Sequence, residues 1–442
     1  MKLGINLPWG GNDHYGWDIG PQPVAVDGSK PDDAWIAARL LSPGANGSKT
    51  NLDAQFAALK KLGIQCVRMF ILADGTNLNP PTIDNNGQWQ IPSNSLDPMH
   101  LSDFGTVLQV CVRQNMLLMP VFVDYQLFAP PAIMIQHLGS TNMTLSSDAV
   151  FIPPGQDSVD DFVDNYYQDP VQALFRNDSR SVDWHKFVKG GRAPILRKRD
   201  QVDGFLKSTL KPLLDVSESE TDFKQQILAW DIMNEPEVAI NMFLNDSNWK
   251  ANASDPVLGY PLAYFIQASA AMILGYDMKA TVGFQTAMPL GQDDGFQSSL
   301  QVKDASGNTT YNSLGAEVTE IQKVVTTLLL PNPNFLPQCH YYPKDSAGNS
   351  GQTKLLSKSA FKLGIGSTLV LGEFATRINS SGPSPWGSDI PGTDSVVARL
   401  QAANSKGYDW AFPWSATSGI DGRSYFDPQQ YKNYASAGPS GP

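Results

Sequence analysis

Two glutamates in this 442-residue chain stand at the ends of apolar runs. In LAWDIMNEPE (228–237), Leu228, Ala229, Trp230, Ile232 and Met233 read as a buried strand that Asn234, Glu235 and Pro236 bring to a close. In STLVLGEFA (367–375), Glu373 follows Val370, Leu371 and Gly372. Pro236 ends a strand ladder because it has no N–H to donate. Apolar walls raise a carboxyl pKa, which makes a general acid available near neutral pH. One carboxyl that protonates a leaving oxygen, and one that attacks an anomeric carbon or activates water, are what cleavage of a glycosidic bond needs. Either glutamate alone reads as well as a salt-bridge partner; the pair points to chemistry. Asn234 adds a donor and an acceptor suited to a sugar hydroxyl.

The elements that must position this pair alternate along the chain. Strands are expected at Lys2–Leu7, Ile64–Ile71, Leu117–Val123, the stretch beginning at Leu228, Ala280–Phe284, Leu336–Tyr341, Thr368–Leu371 and Asp409–Trp414. Between them, helical periodicity covers Asn51–Leu62 (with Asn51 as N-cap and Gly63 as stop), then about 100–115, 197–214, 261–275, 314–329, 354–362 and 394–404. Strand–helix alternation of this kind builds parallel βα units, and eight of them close into an α/β (β/α)8 TIM barrel. A doubly wound open sheet is the runner-up, but no G-x-G-x-x-G follows the first strand. Long insertions at about 125–196 and 286–312 follow strands, so in a barrel they sit at the C-terminal face, where sites are built. No repeat or linker divides the chain, and one catalytic domain over 1–442 is expected.

Composition excludes several partners. The net charge is −11, the sequence pI is about 4.9, and charged residues are 17% against 10% aromatic. Nucleic acid would call for a basic face, and an acidic chain is unsuited to an anionic membrane surface. Cys66, Cys111 and Cys339 lie in apolar stretches and read as buried thiols. With five histidines, no H-x-H or HExxH and no G-x-S-x-G, neither a metal centre nor a serine nucleophile is expected, and no cofactor is indicated. No run is apolar for long enough to span a membrane, and the N-terminal MKLGINLPWGG shows no signal peptide. After the first strand, PWGGNDHYGW gathers Trp9, Asp13 and His14 at the expected cleft edge, where they either touch substrate or pack the loop itself.

W-D-I-M-N-E-P, C-H-Y-Y-P, L-G-E-F and A-F-P-W-S, on the fourth, sixth, seventh and eighth expected strands, resemble the motifs of clan A glycoside hydrolases. Family 5, which holds cellulases and β-mannanases, is the nearest match. The resemblance implies retaining hydrolysis of a β-glucan- or β-mannan-type poly- or oligosaccharide, with Glu235 as acid/base and Glu373 as nucleophile. It implies that Asn234 holds the hydroxyl next to the reacting carbon, and that Arg68, in GIQCVRMF, lies beneath the nucleophile. His340 and Tyr342 match the family's H-x-Y, the tyrosine donating to the nucleophile and the histidine lining the site. Trp414 matches the tryptophan that floors the reacting subsite. One departure stands out: VFVDYQL places Gln126 where many family 5 cellulases carry histidine, while VRMFILADG, LDPMHL and LLMPVFV are similar to the β-mannanase subgroup. The substrate class favours a secreted or periplasmic location. A transglycosylase using the same residues and a non-catalytic carbohydrate-binding barrel are the alternatives.

Overall fold

The computed structural model describes residues 1–7, 48–72, 82–83, 89–90, 96, 98–125, 144–145, 151–152, 199–243, 260–295, 302–303, 309–310, 313–342, 352, 354–364, 366–375, 396–416 and 428–437. Its centre is a parallel sheet of eight strands: β1 (Lys2–Leu7), β2 (Cys66–Phe70), β3 (Leu117–Asp124), β4 (Trp230–Asn234), β5 (Ala280–Gly283), β6 (Gln338–Tyr341), β7 (Val370–Ala375) and β8 (Trp410–Trp414). Neighbours pair in chain order, and β1 pairs with both β2 and β8. The remaining seam, between β5 and β6, is joined by the bridges Ala280↔Phe335 and Phe284↔Cys339. His340 N donates to Phe284 O at 2.8 Å there. The sheet is therefore a closed (β/α)8 barrel, and the open doubly wound alternative is excluded by this cyclic order.

Helices cover the outside: α1 (Ser48–Lys61), α2 (Pro98–Gln114), α3 (Arg199–Ser208), α4 (Leu210–Glu218), α5 (Thr221–Gln226), α6 (Pro236–Phe243), α7 (Pro261–Gly275), α8 (Ser313–Val324), α9 (Val396–Ser405) and α10 (Pro428–Ala437). Gly63 ends α1 with φ +85, a left-handed stop that glycine adopts without strain. Asn51 does not cap this helix, which starts at Ser48 and holds Asn51 within its first turn. The helix expected near 197–214 is two helices, α3 and α4, broken at Thr209, and α4 runs on to Glu218. The helix expected over 354–362 is a 3-10 turn at Lys358–Phe361, ended by Lys362 at φ +49. Most of the two expected insertions, and the Trp9, Asp13, His14 and Gln126 positions, lie outside the described residues. No helix among those described is long and apolar enough to cross a membrane.

Strand alternation divides the barrel into layers. Cys66, Met119, Ala229, Leu336, Val370, Trp410 and Phe412 pack together inside one end. Val67, Met69, Ile232, Leu371 and Phe374 face outward into the strand–helix core. All three cysteines are buried free thiols, as their apolar settings suggest; burial pushes the Cys111 thiol well above its ordinary range and Cys339 up to about 12.

Two strands break the alternation. On β7, Val370 and Glu373 both face inward although three positions apart, which a regular period of two forbids. The register with β6 shifts there, with Leu371 opposite Cys339 and Glu373 opposite His340. On β4, Asp231 and Asn234 both face the interior, and the register with β5 shifts between them. An inserted residue turns the rest of a strand over. Each glutamate-bearing strand thus carries its bulge just before the residues that reach the mouth.

Candidate active site

At the C-terminal end of the barrel the interior becomes polar, around Arg68 on β2. Its side chain is wholly buried, and its donors are consumed by four groups from three other strands. Nη1 donates to Glu373 Oε1 at 2.6 Å and to Asn6 Oδ1 at 2.8 Å. Nη2 donates to Asn234 Oδ1 at 2.7 Å, and Nε donates to Asp231 Oδ2 at 2.9 Å. Burying a guanidinium is tolerable only with such complete pairing, and Asp231 and Glu373 supply the compensating charge. Asp231 is itself held by Gly283 N at 2.8 Å and Gln338 Nε2 at 2.8 Å. Asn6 Nδ2 donates to the carbonyls of Gly372 and Phe412, tying β1 to β7 and β8.

This layer leaves no room beside it. A Cβ on Gly283 would lie 2.8 Å from Arg68 Nη2 and 3.0 Å from Asp231 Oδ2, and one on Gly372 would lie 2.6 Å from Gln338 Nε2. Gly283→Ala is therefore expected to cost roughly 1–3 kcal/mol, the range for overpacking a filled interior. Urea unfolding would measure it; a midpoint equal to that of the unsubstituted chain would contradict the close packing of this layer.

Glu373, the residue after Gly372, receives donors on both oxygens: Arg68 on Oε1, and the Tyr342 hydroxyl on Oε2 at 2.9 Å. Burial pushes its carboxyl above the ordinary glutamate range, opposed by the nearby positive charge of Arg68 and by the Tyr342 donor. Both oxygens thus meet groups that donate rather than accept, an arrangement suited to the carboxylate form. His340 Nδ1 lies 3.0 Å from Glu235 Oε1 and 3.4 Å from Glu373 Oε2. Burial depresses the imidazole to about 4, so at neutral pH the ring is uncharged and its contact with Glu235 is a hydrogen bond. Glu235, His340 and Glu373 present atoms within 4.8 Å of one another, close enough to hold a cation as well as to act together on one substrate.

Glu235 sits where β4 hands over to α6. Its φ is +46, a left-handed backbone that a non-glycine residue adopts only where its surroundings enforce it. Its N–H donates to Gly283 O at 2.7 Å, and its carbonyl accepts from Val238 N at 2.9 Å. Pro236 ends the strand as expected and also opens α6, whose first helical position suits proline. Glu237, in that first turn, is buried and accepts from Gln285 N at 3.1 Å and from Thr286 N and Oγ1 at 3.2 Å. Burial pushes its carboxyl up to about 8 despite these donors. It clamps the turn after β5 against the start of α6. Gln352 does the same further round the mouth, accepting from Tyr342 N at 2.8 Å and donating to His340 O at 3.3 Å.

Arg68, Asn234, Glu235, His340, Tyr342, Glu373 and Trp414 are brought to one end of the barrel. Trp414 is buried at the end of β8, edge-on to Phe70 with ring centroids 6.2 Å apart, and its peptide bond to Ser415 is cis. Trp9, Asp13 and His14 lie outside the described residues. Sequence reasoning missed Asn6, Asp124, Asp231, Glu237, Gln338 and Gln352. Three of these carry a signal that could have found them: Asn6, Asp124 and Asp231 each interrupt or close an apolar run.

The fold has counterparts among solved structures. The β-1,4-mannanase of the sea hare Aplysia kurodai is similar at a TM-score of 0.50, with 14% identity over 100% of this chain and 93% of that one. The β-mannanase of the mussel Mytilus edulis aligns at 0.47, with 18% identity over 98% of this chain and 92% of its own. A family 1 β-glucosidase from Thermotoga maritima aligns at 0.44, with 10% identity over 99% and 97%. At such identities the likeness is one of fold. No protein-family model matches the chain, and no curated protein matches its sequence.

Proposed function

We propose that the chain is a retaining glycoside hydrolase that cleaves β-glycosidic bonds in a poly- or oligosaccharide, the whole chain forming one catalytic barrel domain. The observation that carries this reading is that an oxygen of Glu235, from the end of β4, and an oxygen of Glu373, from β7, lie within 4.8 Å of each other beside His340. Retaining enzymes hold theirs about 5–5.5 Å apart, whereas inverting ones leave about 6.5–9.5 Å for a water. The barrel fold shared with the sea hare β-1,4-mannanase makes β-mannan the first substrate to test, with β-glucan next.

Glu373, ionised and oriented by Arg68 and Tyr342, attacks the anomeric carbon as the bond to the leaving oxygen breaks. Glu235 gives its proton to that oxygen. In the second step Glu235, now a carboxylate, takes a proton from water, the water oxygen bonds to the same carbon, and Glu373 is released. Asn234 holds the hydroxyl beside the reacting carbon, and Trp414 offers an aromatic face to the sugar ring.

Glu235→Ala tests the acid role. Turnover of an aryl β-glycoside with a poor leaving group is expected to fall by about 10²–10⁴-fold, the usual worth of general acid catalysis. A substrate whose leaving group departs without a proton should retain fast formation of the glycosyl-enzyme. An equal loss on both substrates would remove Glu235 from this role.

Tyr342→Phe tests the support of the nucleophile. Losing a donor to the carboxylate raises the Glu373 pKa, and the protonated form cannot attack. The acidic limb of kcat/KM is therefore expected to move to higher pH. An unmoved or lowered limb would contradict the contact's assigned effect.

A further inference from the structure

Asp124, at the C-terminal end of β3, has no solvent exposure. Its Oδ1 accepts from Asn234 Nδ2 at 2.9 Å, and its Oδ2 has no hydrogen-bond partner among the described residues. Asn234 Oδ1 accepts from Arg68 Nη2 at 2.7 Å, which settles the orientation of the amide: oxygen toward the guanidinium, nitrogen toward Asp124. A primary amide has two N–H groups in one plane. With the oxygen and one N–H both engaged, that plane is fixed, and so is the direction of the second N–H.

We propose that Asp124 is a positioning residue that acts through Asn234, aiming its second N–H at the hydroxyl on the sugar carbon beside the anomeric centre. This rests on the hydrolase reading above and adds to it a residue that touches no substrate. The contact to that hydroxyl strengthens in the transition state of glycoside cleavage, so a rotated amide lowers kcat more than it raises KM. Arg68 alone leaves the amide free to pivot about its oxygen; Asp124 supplies the second point. Burial pushes the Asp124 carboxyl well above its ordinary range, with the Glu235 and Glu373 carboxyls adding to the effect. A neutral acid still presents a carbonyl oxygen to Asn234, and an asparagine side chain reproduces that acceptor.

The test pairs two variants with two substrates, an aryl β-glycoside and its 2-deoxy counterpart. Asp124→Leu, which removes the acceptor, is expected to lower kcat by about 10–100-fold on the hydroxylated sugar and by less than about threefold on the 2-deoxy sugar. Asp124→Asn is expected to stay within about threefold of the unsubstituted enzyme on both, because the acceptor is kept. If Asp124→Leu does not fold, Asp124→Ser, too short to reach the amide, takes its place with the same expected split. Equal losses on the two sugars, or no loss on either, would overturn the positioning role. An unsubstituted enzyme that turns over no β-glycoside would instead overturn the hydrolase reading itself, a distinct outcome.

Discussion

Glu373→Ala is expected to lower kcat by about 10⁵-fold or more while leaving the barrel folded, because it removes the proposed nucleophile. Arg68 and Tyr342 both aim donors at Glu373, and Glu235, within 4.8 Å, is expected to carry the proton that the leaving oxygen needs. The substitution should be tolerated structurally. Arg68 keeps Asp231 at 2.8 Å, so the interior is left with a balanced ion pair instead of an unpaired charge. Steady-state turnover and circular dichroism together measure both halves of the expectation. Substantial residual activity in a folded variant would exclude Glu373 as nucleophile.

Arg68→Met has the opposite balance and the second largest expected effect. Methionine fills part of the volume but strands two buried carboxyls, and it orphans the side-chain oxygens of Asn6 and Asn234. Breaking a buried ion pair from one side costs roughly 3–5 kcal/mol. Turnover should be lost as well, since Glu373 would lose the charge that opposes its protonation. The pH dependence has a definite sign. With the guanidinium gone, burial raises the Glu373 pKa in the folded state further above its unfolded value. Such a group favours the folded state at low pH, and this stability is lost as pH rises through the folded pKa. The deficit measured by urea unfolding should therefore be larger at neutral than at acid pH. A deficit that grows on acidification, or no deficit at all, would contradict the role of Arg68 as the counter-charge of this layer.

The barrel was legible in the sequence because its strands are short apolar runs separated by helical periodicity. β1 occupies Lys2–Leu7 and α7 occupies Pro261–Gly275, the bounds their patterns indicate. Glu235 and Glu373 were legible because a carboxylate at the end of an apolar strand has no packing role. The bulges before them were not, since an inserted residue changes which face a side chain takes without changing the composition of the run. That is why alternation along β7 from Val370 would turn Phe374 inward and Glu373 outward, whereas the structure does the reverse. The layer beneath the site was hidden for a related reason. Asn6, Asp231 and Gln338 lie on separate strands far apart in sequence, and only closure of the barrel gathers them round one guanidinium. The 354–362 segment misled because its apolar pairs, Leu355–Leu356 and Ala360–Phe361, fit a helical stripe, whereas left-handed Lys362 ends the turn after one 3-10 loop. Glu237 was overshadowed by its neighbour two residues earlier; its role depends on the turn after β5, which the local pattern does not reveal.

The most direct measurement is covalent trapping. Incubation with 2-deoxy-2-fluoro glycosyl fluorides of gluco and manno configuration slows release of any glycosyl-enzyme, and peptide mass spectrometry then locates the added sugar. The account predicts one fluorosugar per chain, attached to Glu373 and absent from Glu373→Ala. A label on any other residue, or continued turnover of a β-glycoside with no adduct formed, would contradict it.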